Sequence, residues 1–211
     1  MTFVTAKGRQ DVSESKWVVG QVAFQDRMPP LSADKMTDAQ RKAAEEMIAG
    51  PRKGVKGPFV PLLRSPELMD RLQKVGEYLR FQSSLEQRIS EFIMLIVSRE
   101  WTQHFEWFVH VPFGRKAGIS EDTIAALAEG RRPPDMREDE EIAYDFCGEL
   151  LRTKGVSDTT YSHTVQRFGE NGVIDMIGVA GYFTTVSMVM NVAHSPPSED
   201  KSVGALSPYP L

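Results

Sequence analysis

The sequence predicts an all-α protein of about seven or eight helices. Three observations carry this. Apolar residues recur at helical spacing in almost every segment, alternating strand patterns are nearly absent, and the segments end at recognisable helix starts and stops.

The helices can be taken in order. Residues 1–30 show no clear periodicity and are expected to form an N-terminal arm. LSADKMTDAQRKAAEEMIAG reads as a helix starting at Ser32 or Thr37 and stopping at Gly50-Pro51. Gly50 to Pro66 carries three glycines and four prolines, which forbids a long helix and predicts a loop. PELMDRLQKVGEYLRFQ is amphipathic and opens at Pro66, a residue suited to a first turn. SSLEQRISEFIMLIVSRE follows, with Ser84 and Gln87 spaced as a capping box. A further helix is predicted through EWTQHFEWFVH, Glu100 to His110. A short one is capped by Ser120, then come REDEEIAYDFCGELLRTKG and SDTTYSHTVQRFGENG, the latter capped by Ser157. The most apolar segment, Gly172 to His194, imitates a membrane span but carries Asp175 and Asn191. Small residues at Gly178, Gly181, Thr185 and Ser187 suit close helix packing, so it is expected to be the central helix of a soluble core. One domain over residues 31–195 with a tail over 196–211 completes the organisation.

Composition narrows the function. The 211 residues carry a formal net charge of −4 and no long basic run, so nothing points to nucleic acid or to an anionic membrane surface. The single cysteine, Cys147, excludes an internal disulfide framework and a CxxC redox pair. It sits in a helical pattern and reads as a small buried hydrophobe. The N-terminus lacks the apolar core of a signal peptide, and a cytoplasmic protein is expected.

The stretch EWTQHFEWFVH mixes large aromatics with titratable groups. On a helical wheel Gln103, Glu106, Trp107 and His110 share a face, and Trp101, Phe105 and Phe108 lie opposite. Glu106 and His110, four residues apart, can form a charge-assisted hydrogen bond that fixes the imidazole tautomer and raises its basicity. By spacing alone this is a satisfied core pair, a proton-transfer pair or, with Glu91 as a third ligand, a metal-binding pair. His104 reads as a boundary histidine.

At these residues the chain resembles the carboxymuconolactone decarboxylase and alkylhydroperoxidase D superfamily. The matching features are Glu91, then an apolar helix, then Glu106-Trp107-Phe108-Val109-His110, then Ala117-Gly118-Ile119-Ser120, with flanks that extend the likeness over roughly residues 30–195. The resemblance implies an AhpD-like helical bundle assembled as trimers or hexamers, with the arm wrapping a neighbour. It implies a site among the helices, built on His110, Glu106 and Glu91. In the peroxidase branch two cysteines would fall on Gln103 and Glu106, and a relay histidine on Phe105. Both thiols are missing here, and peroxide reduction needs a thiolate. In the decarboxylase branch the substrate is a muconolactone carboxylate from aromatic-ring breakdown, handled without metal or organic cofactor. Loss of CO₂ leaves a dienolate-like carbanion that needs a proton and a stabilised oxyanion.

The expected activity is therefore a cofactor-free lyase or isomerase acting on a small carboxylated lactone or unsaturated acid. A non-catalytic, ligand-binding helical assembly is the alternative. Gln103, Trp107, Phe59, Tyr182 and Asn191 are the candidate substrate-binding residues. Arg80, Arg99 and Arg115 are candidates for holding a carboxylate. Glu91 and His110 are nineteen residues apart, about 28 Å along one straight helix. They can meet only if the chain turns back between Arg99 and Gln103.

Overall fold

The computed structural model describes residues 25–196 with Val203, Gly204 and Leu206. The expected arm falls largely outside the described residues. The described residues form eight α-helices and no strand. They are α1 Asp38–Ala49, α2 Phe59–Leu62, α3 Pro66–Phe81, α4 Gln87–Glu100, α5 His104–Ala117, α6 Glu121–Ala128, α7 Glu138–Thr153 and α8 Asp158–Ala193.

Helix α4 is the centre. Every residue from Arg88 to Arg99 is buried, as the unbroken run FIMLIV requires of a helix with no face left for water. Helices α5, α7 and α8 pack around it, and α6 closes one end. A second, smaller core lies under the N-terminal helices, where Met47, Phe59, Leu62, Leu63 and Met69 meet. From the tail, Val203 and Leu206 fold back into the main core.

Local chemistry sets most boundaries. Thr37 opens α1 with a capping box to Gln40, and Ser120 and Ser157 cap α6 and α8 through Thr123 and Thr160. The Gly/Pro segment is not all loop: it contains the single turn α2, where Pro61 sits among the first residues and needs no N–H partner.

Two boundaries differ from expectation. The Ser84–Gln87 capping box does not form. The backbone N–H and hydroxyl of Ser84 both donate to the Asp175 carboxylate at 2.7 Å, and Glu86 becomes the N-cap of α4. A buried carboxylate from α8 is a stronger acceptor than anything Gln87 offers locally. This also accounts for an acidic residue inside the most apolar segment. The two helices expected on either side of Gly169–Gly172 both form, but they meet directly at the non-helical Gly169 (φ 69°, ψ 171°) with no connecting loop, and α8 spans both. By length and composition α8 could cross a membrane, yet 56% of its most apolar window is buried inside the protein. It packs on α3, α4 and α7 as the core helix the small-residue pattern predicts.

Candidate active site

The chain does reverse between α4 and α5. Helix α4 ends at Glu100 and α5 begins at His104. Thr102 takes a positive φ of 45°, a costly conformation for a β-branched residue that the surroundings must enforce. The Gln103 N–H donates to the Ser98 carbonyl at 2.8 Å. The Gln103 side chain caps α5 by accepting from the Phe105 N–H at 2.7 Å. Its amide donates to Asn191 Oδ1 at 2.8 Å, and Asn191 Nδ2 donates to the Trp101 carbonyl at 2.9 Å. Gln103 and Asn191 therefore lock the turn onto α8, and every polar atom of the Gln103 amide has work there. Both were expected to bind substrate; neither lines the cavity described below. Trp107, expected to share that role, is 1% exposed and belongs to the main core. The shared interior face holds, since Gln103, Glu106, Trp107 and His110 are all buried, but of the four only Glu106 and His110 line the cavity.

The reversal brings Glu91 to His110. Glu91 Oε2 lies 2.6 Å from His110 Nδ1, and Glu106 Oε2 lies 3.3 Å from Nε2. Gln87 Nε2 donates to the other oxygen of Glu91 at 2.7 Å. All three acid–base groups are buried: Glu91 0%, His110 1% and Glu106 4% exposed. Glu91, itself held by Gln87, is thus a second carboxylate on the ring, beside the Glu106 that spacing suggested. Glu106 faces the second ring nitrogen. An imidazole flanked by carboxylates on both nitrogens is satisfied only when both nitrogens carry protons, or when a proton is shared with one carboxyl. Burial works against a charged His110, but hydrogen bonds to Glu106 and Glu91 and the charges of those carboxylates outweigh it. The His110 pKa stands above its ordinary 6.5. Among the described residues no group of three or more His, Cys, Asp or Glu side chains is placed to hold a metal ion.

His110 and Glu106 open onto a cavity of about 400 Å³, within the usual range for a small-molecule site. Phe59 and Tyr182 line it as expected, together with Phe105, Val109, Phe113, Phe183 and Val186. The Phe183 ring meets the imidazole edge-on at 5.0 Å. Glu91 sits behind His110, away from this wall. The loop between α1 and α2 covers one side. Gly57 packs on Phe105 so closely that a Cβ would lie 2.3 Å from the ring, and its φ is 55°, so no other residue fits that turn.

Arg52, Lys56 and Arg80 also line the cavity. Arg80 was one of three candidate arginines. The other two are committed elsewhere: Arg99 donates to the Ala128 carbonyl and Arg115 pairs with Glu121. Arg52 and Lys56 escaped sequence reasoning because GPRKGVKGP has no periodicity to assign its side chains a direction. Burial lifts the Tyr182 hydroxyl to about 12, so it stands as a neutral donor. The thiol of Cys147, wholly buried, is likewise raised to about 12 by burial, which removes it as a nucleophile.

No family model and no curated protein matches the chain. Among solved structures it is similar to an uncharacterized peroxidase-related protein from Ralstonia eutropha JMP134, described as an alkylhydroperoxidase AhpD core. The identity is 14%, the match covers 82% of this chain and 92% of that one, and the TM-score is 0.66. The fold is therefore AhpD-like.

Proposed function

We propose that the protein is a cofactor-free acid–base enzyme of the carboxymuconolactone decarboxylase type, with His110 and Glu106 exchanging a proton with a small carboxylated lactone or unsaturated acid. The observation that carries this reading is a buried imidazole clamped by two carboxylates and opening, on its Glu106 side, into a ligand-sized cavity. Glu106, at a position where a thiol would be needed, supports reading the chain as one of the branch without the CxxC.

In a decarboxylation the substrate's C–C bond to the carboxylate breaks, CO₂ leaves, and the electron pair enters the conjugated system as a dienolate. The proton shared between His110 Nε2 and Glu106 passes to carbon, and solvent restores it. Glu91 stays bonded to Nδ1, keeping the ring oriented through the transfer. The Tyr182 hydroxyl and the cavity arginines are the donors available to the developing oxyanion, a role first expected of Gln103. A double-bond shift within an unsaturated acid would use the same groups. We further propose a trimer or hexamer in the cytoplasm. Ile174, Ile177, Met188 and Val192 are exposed along α8, an apolar stripe that a partner would cover.

Turnover of a panel of carboxylated lactones and unsaturated acids, in wild type and His110→Gln, tests the reaction. Product formation by the wild type and its loss in the folded variant are expected. A panel left untouched, with ligands bound and released unchanged, would leave a binding protein of the same fold.

A further inference from the structure

Helix α3, α8 and the covering loop bring an unusual group of side chains to the wall of the same cavity. Arg52 comes from the loop, Arg80 from α3 and Tyr182 from α8, while His110 and Glu106 come from α5. Arg52 and Arg80 are both half-buried, and neither forms an ion pair among the described residues. Arg52 stacks on the Phe59 ring at 4.6 Å, donates a long bond, 3.4 Å, to the Gln73 carbonyl and lies within hydrogen-bond reach of the Tyr182 hydroxyl. Arg80 lies 5.1 Å from the Phe81 ring centre and 5.5 Å from that of Phe113. The Nε atoms of both guanidinium groups are buried without a hydrogen-bond partner.

Buried donors of this kind are rarely left unsatisfied, and a planar guanidinium is shaped to meet an oxyanion with two parallel bonds. The two arginines are near enough for the charge of Arg80 to disfavour that of Arg52, beside the cost of burial. Glu77 and Glu106 contribute fields at Arg52 but do not pair with it. Besides His110, the lining thus sets Arg52, Lys56 and Arg80 against one carboxylate, Glu106. The fold also makes room for the third donor. Gly76, one turn before Arg80 on α3, faces Tyr182 so closely that a Cβ there would lie 2.3 Å from the phenol oxygen.

We propose that Arg52, Arg80 and the Tyr182 hydroxyl form an oxyanion subsite that holds an acidic group of the ligand on the α3 side of the cavity, leaving the rest of the ligand against His110 and Glu106. The inference rests on the reading of this cavity as the substrate site, and it adds the residues that select an anionic ligand. The occupant is a carboxylate or a phosphate; an apolar hydroperoxide or neutral lactone leaves both guanidinium groups unmatched. Lys56 is exposed at the rim and acts on the approach of the anion.

Calorimetry on the full chain with succinate and with inorganic phosphate, at low salt, tests the subsite without any turnover. Saturable binding of one of them is expected, and the two titrations tell which oxyanion the subsite prefers. Arg52→Gln and Arg80→Gln should each weaken it about 10-fold or more, the scale of one lost charge-assisted bond. Arg80→Lys should weaken it less than Arg80→Gln. Glu106→Gln removes the only carboxylate in the lining and should tighten it. Circular dichroism and unfolding midpoints confirm that each variant is folded. Absence of saturable binding of both anions, or binding indifferent to both arginine variants, would overturn the subsite. If the anion binds and the lactone panel is left untouched, the subsite stands and the proposed reaction falls.

Discussion

Two buried charge clusters sit within one helix of each other, and they are built on opposite terms. Around Arg88 on α4, the guanidinium donates to Asp139 and to Glu140, each at 2.7 Å, and Arg167 reaches Asp139 at 3.0 Å. Around His110, one imidazole serves two carboxylates. The first cluster joins α7 and α8 to α4 with cations that cannot give up their protons. The second holds a buried imidazole, a group that can, and it opens onto a cavity. A permanent charge suits a cross-brace; a charge that can leave suits proton transfer. Burial and ion pairing alone do not distinguish the two.

The comparison is broken most severely by exchanging roles. His110→Gln keeps an amide within reach of the carboxylates but cannot transfer a proton. Its turnover is expected to fall about 10²–10⁴-fold, the usual contribution of a positioned acid or base, with helix content retained. Arg88→Met leaves Asp139 and Glu140 buried beside a thioether. It should cost about 3–5 kcal/mol of stability, as removing one partner of a buried ion pair does, while the folded fraction keeps its specific activity. Chemical denaturation and per-folded-molecule rates separate these outcomes. If His110→Gln lost stability and kept full activity, the clusters would be of one kind.

Dependence on pH sharpens the contrast with smaller effects. The folded-state pKa of His110 is raised above 6.5. Its contribution to stability is therefore complete below 6.5 and is lost as pH rises through the folded value. Asp139 has the opposite sign. Burial alone would raise its pKa, but the hydrogen bond and charge of Arg88, with Arg167, hold it below 3.8. Its contribution is present above 3.8 and is lost as pH falls through the folded value. Unfolding midpoints followed into alkali should respond to Glu106→Gln, and midpoints followed into acid should respond to Arg88→Met. The smallest expected effect is at Gly76→Ala. The added methyl must displace the Tyr182 ring, at about 1–3 kcal/mol for overpacking, measured by thermal unfolding.

How far the sequence could be read depended on whether neighbours in space were neighbours in the chain. The helices were legible from FIMLIV, from the Ser and Thr caps, and from the small residues of α8. The reversal before His104 was legible because Glu91 and His110 could meet in no other way. What stayed hidden was tertiary. Ser84 is drawn from a local cap by Asp175, ninety-one residues away. Spacing suggested Glu106 as the orienting carboxylate, whereas Glu91, across a helix pair, makes the shorter bond. Arg52 lies in a segment whose glycines erase any directional pattern, so its place beside Arg80 and Tyr182 appears only in the fold.

The central claim is that His110 is a protonated, cavity-facing imidazole held so by Glu91 and Glu106. Nuclear magnetic resonance titration of its ring, in wild type and in Glu106→Gln, tests this most directly. His104 is the internal reference, because burial and the charge of Arg99 hold its pKa below 6.5. The account predicts that His110 stays protonated above 6.5, titrates well after His104, and moves down when Glu106 loses its charge. A His110 ring that deprotonates together with His104, or that is unmoved by Glu106→Gln, would contradict it.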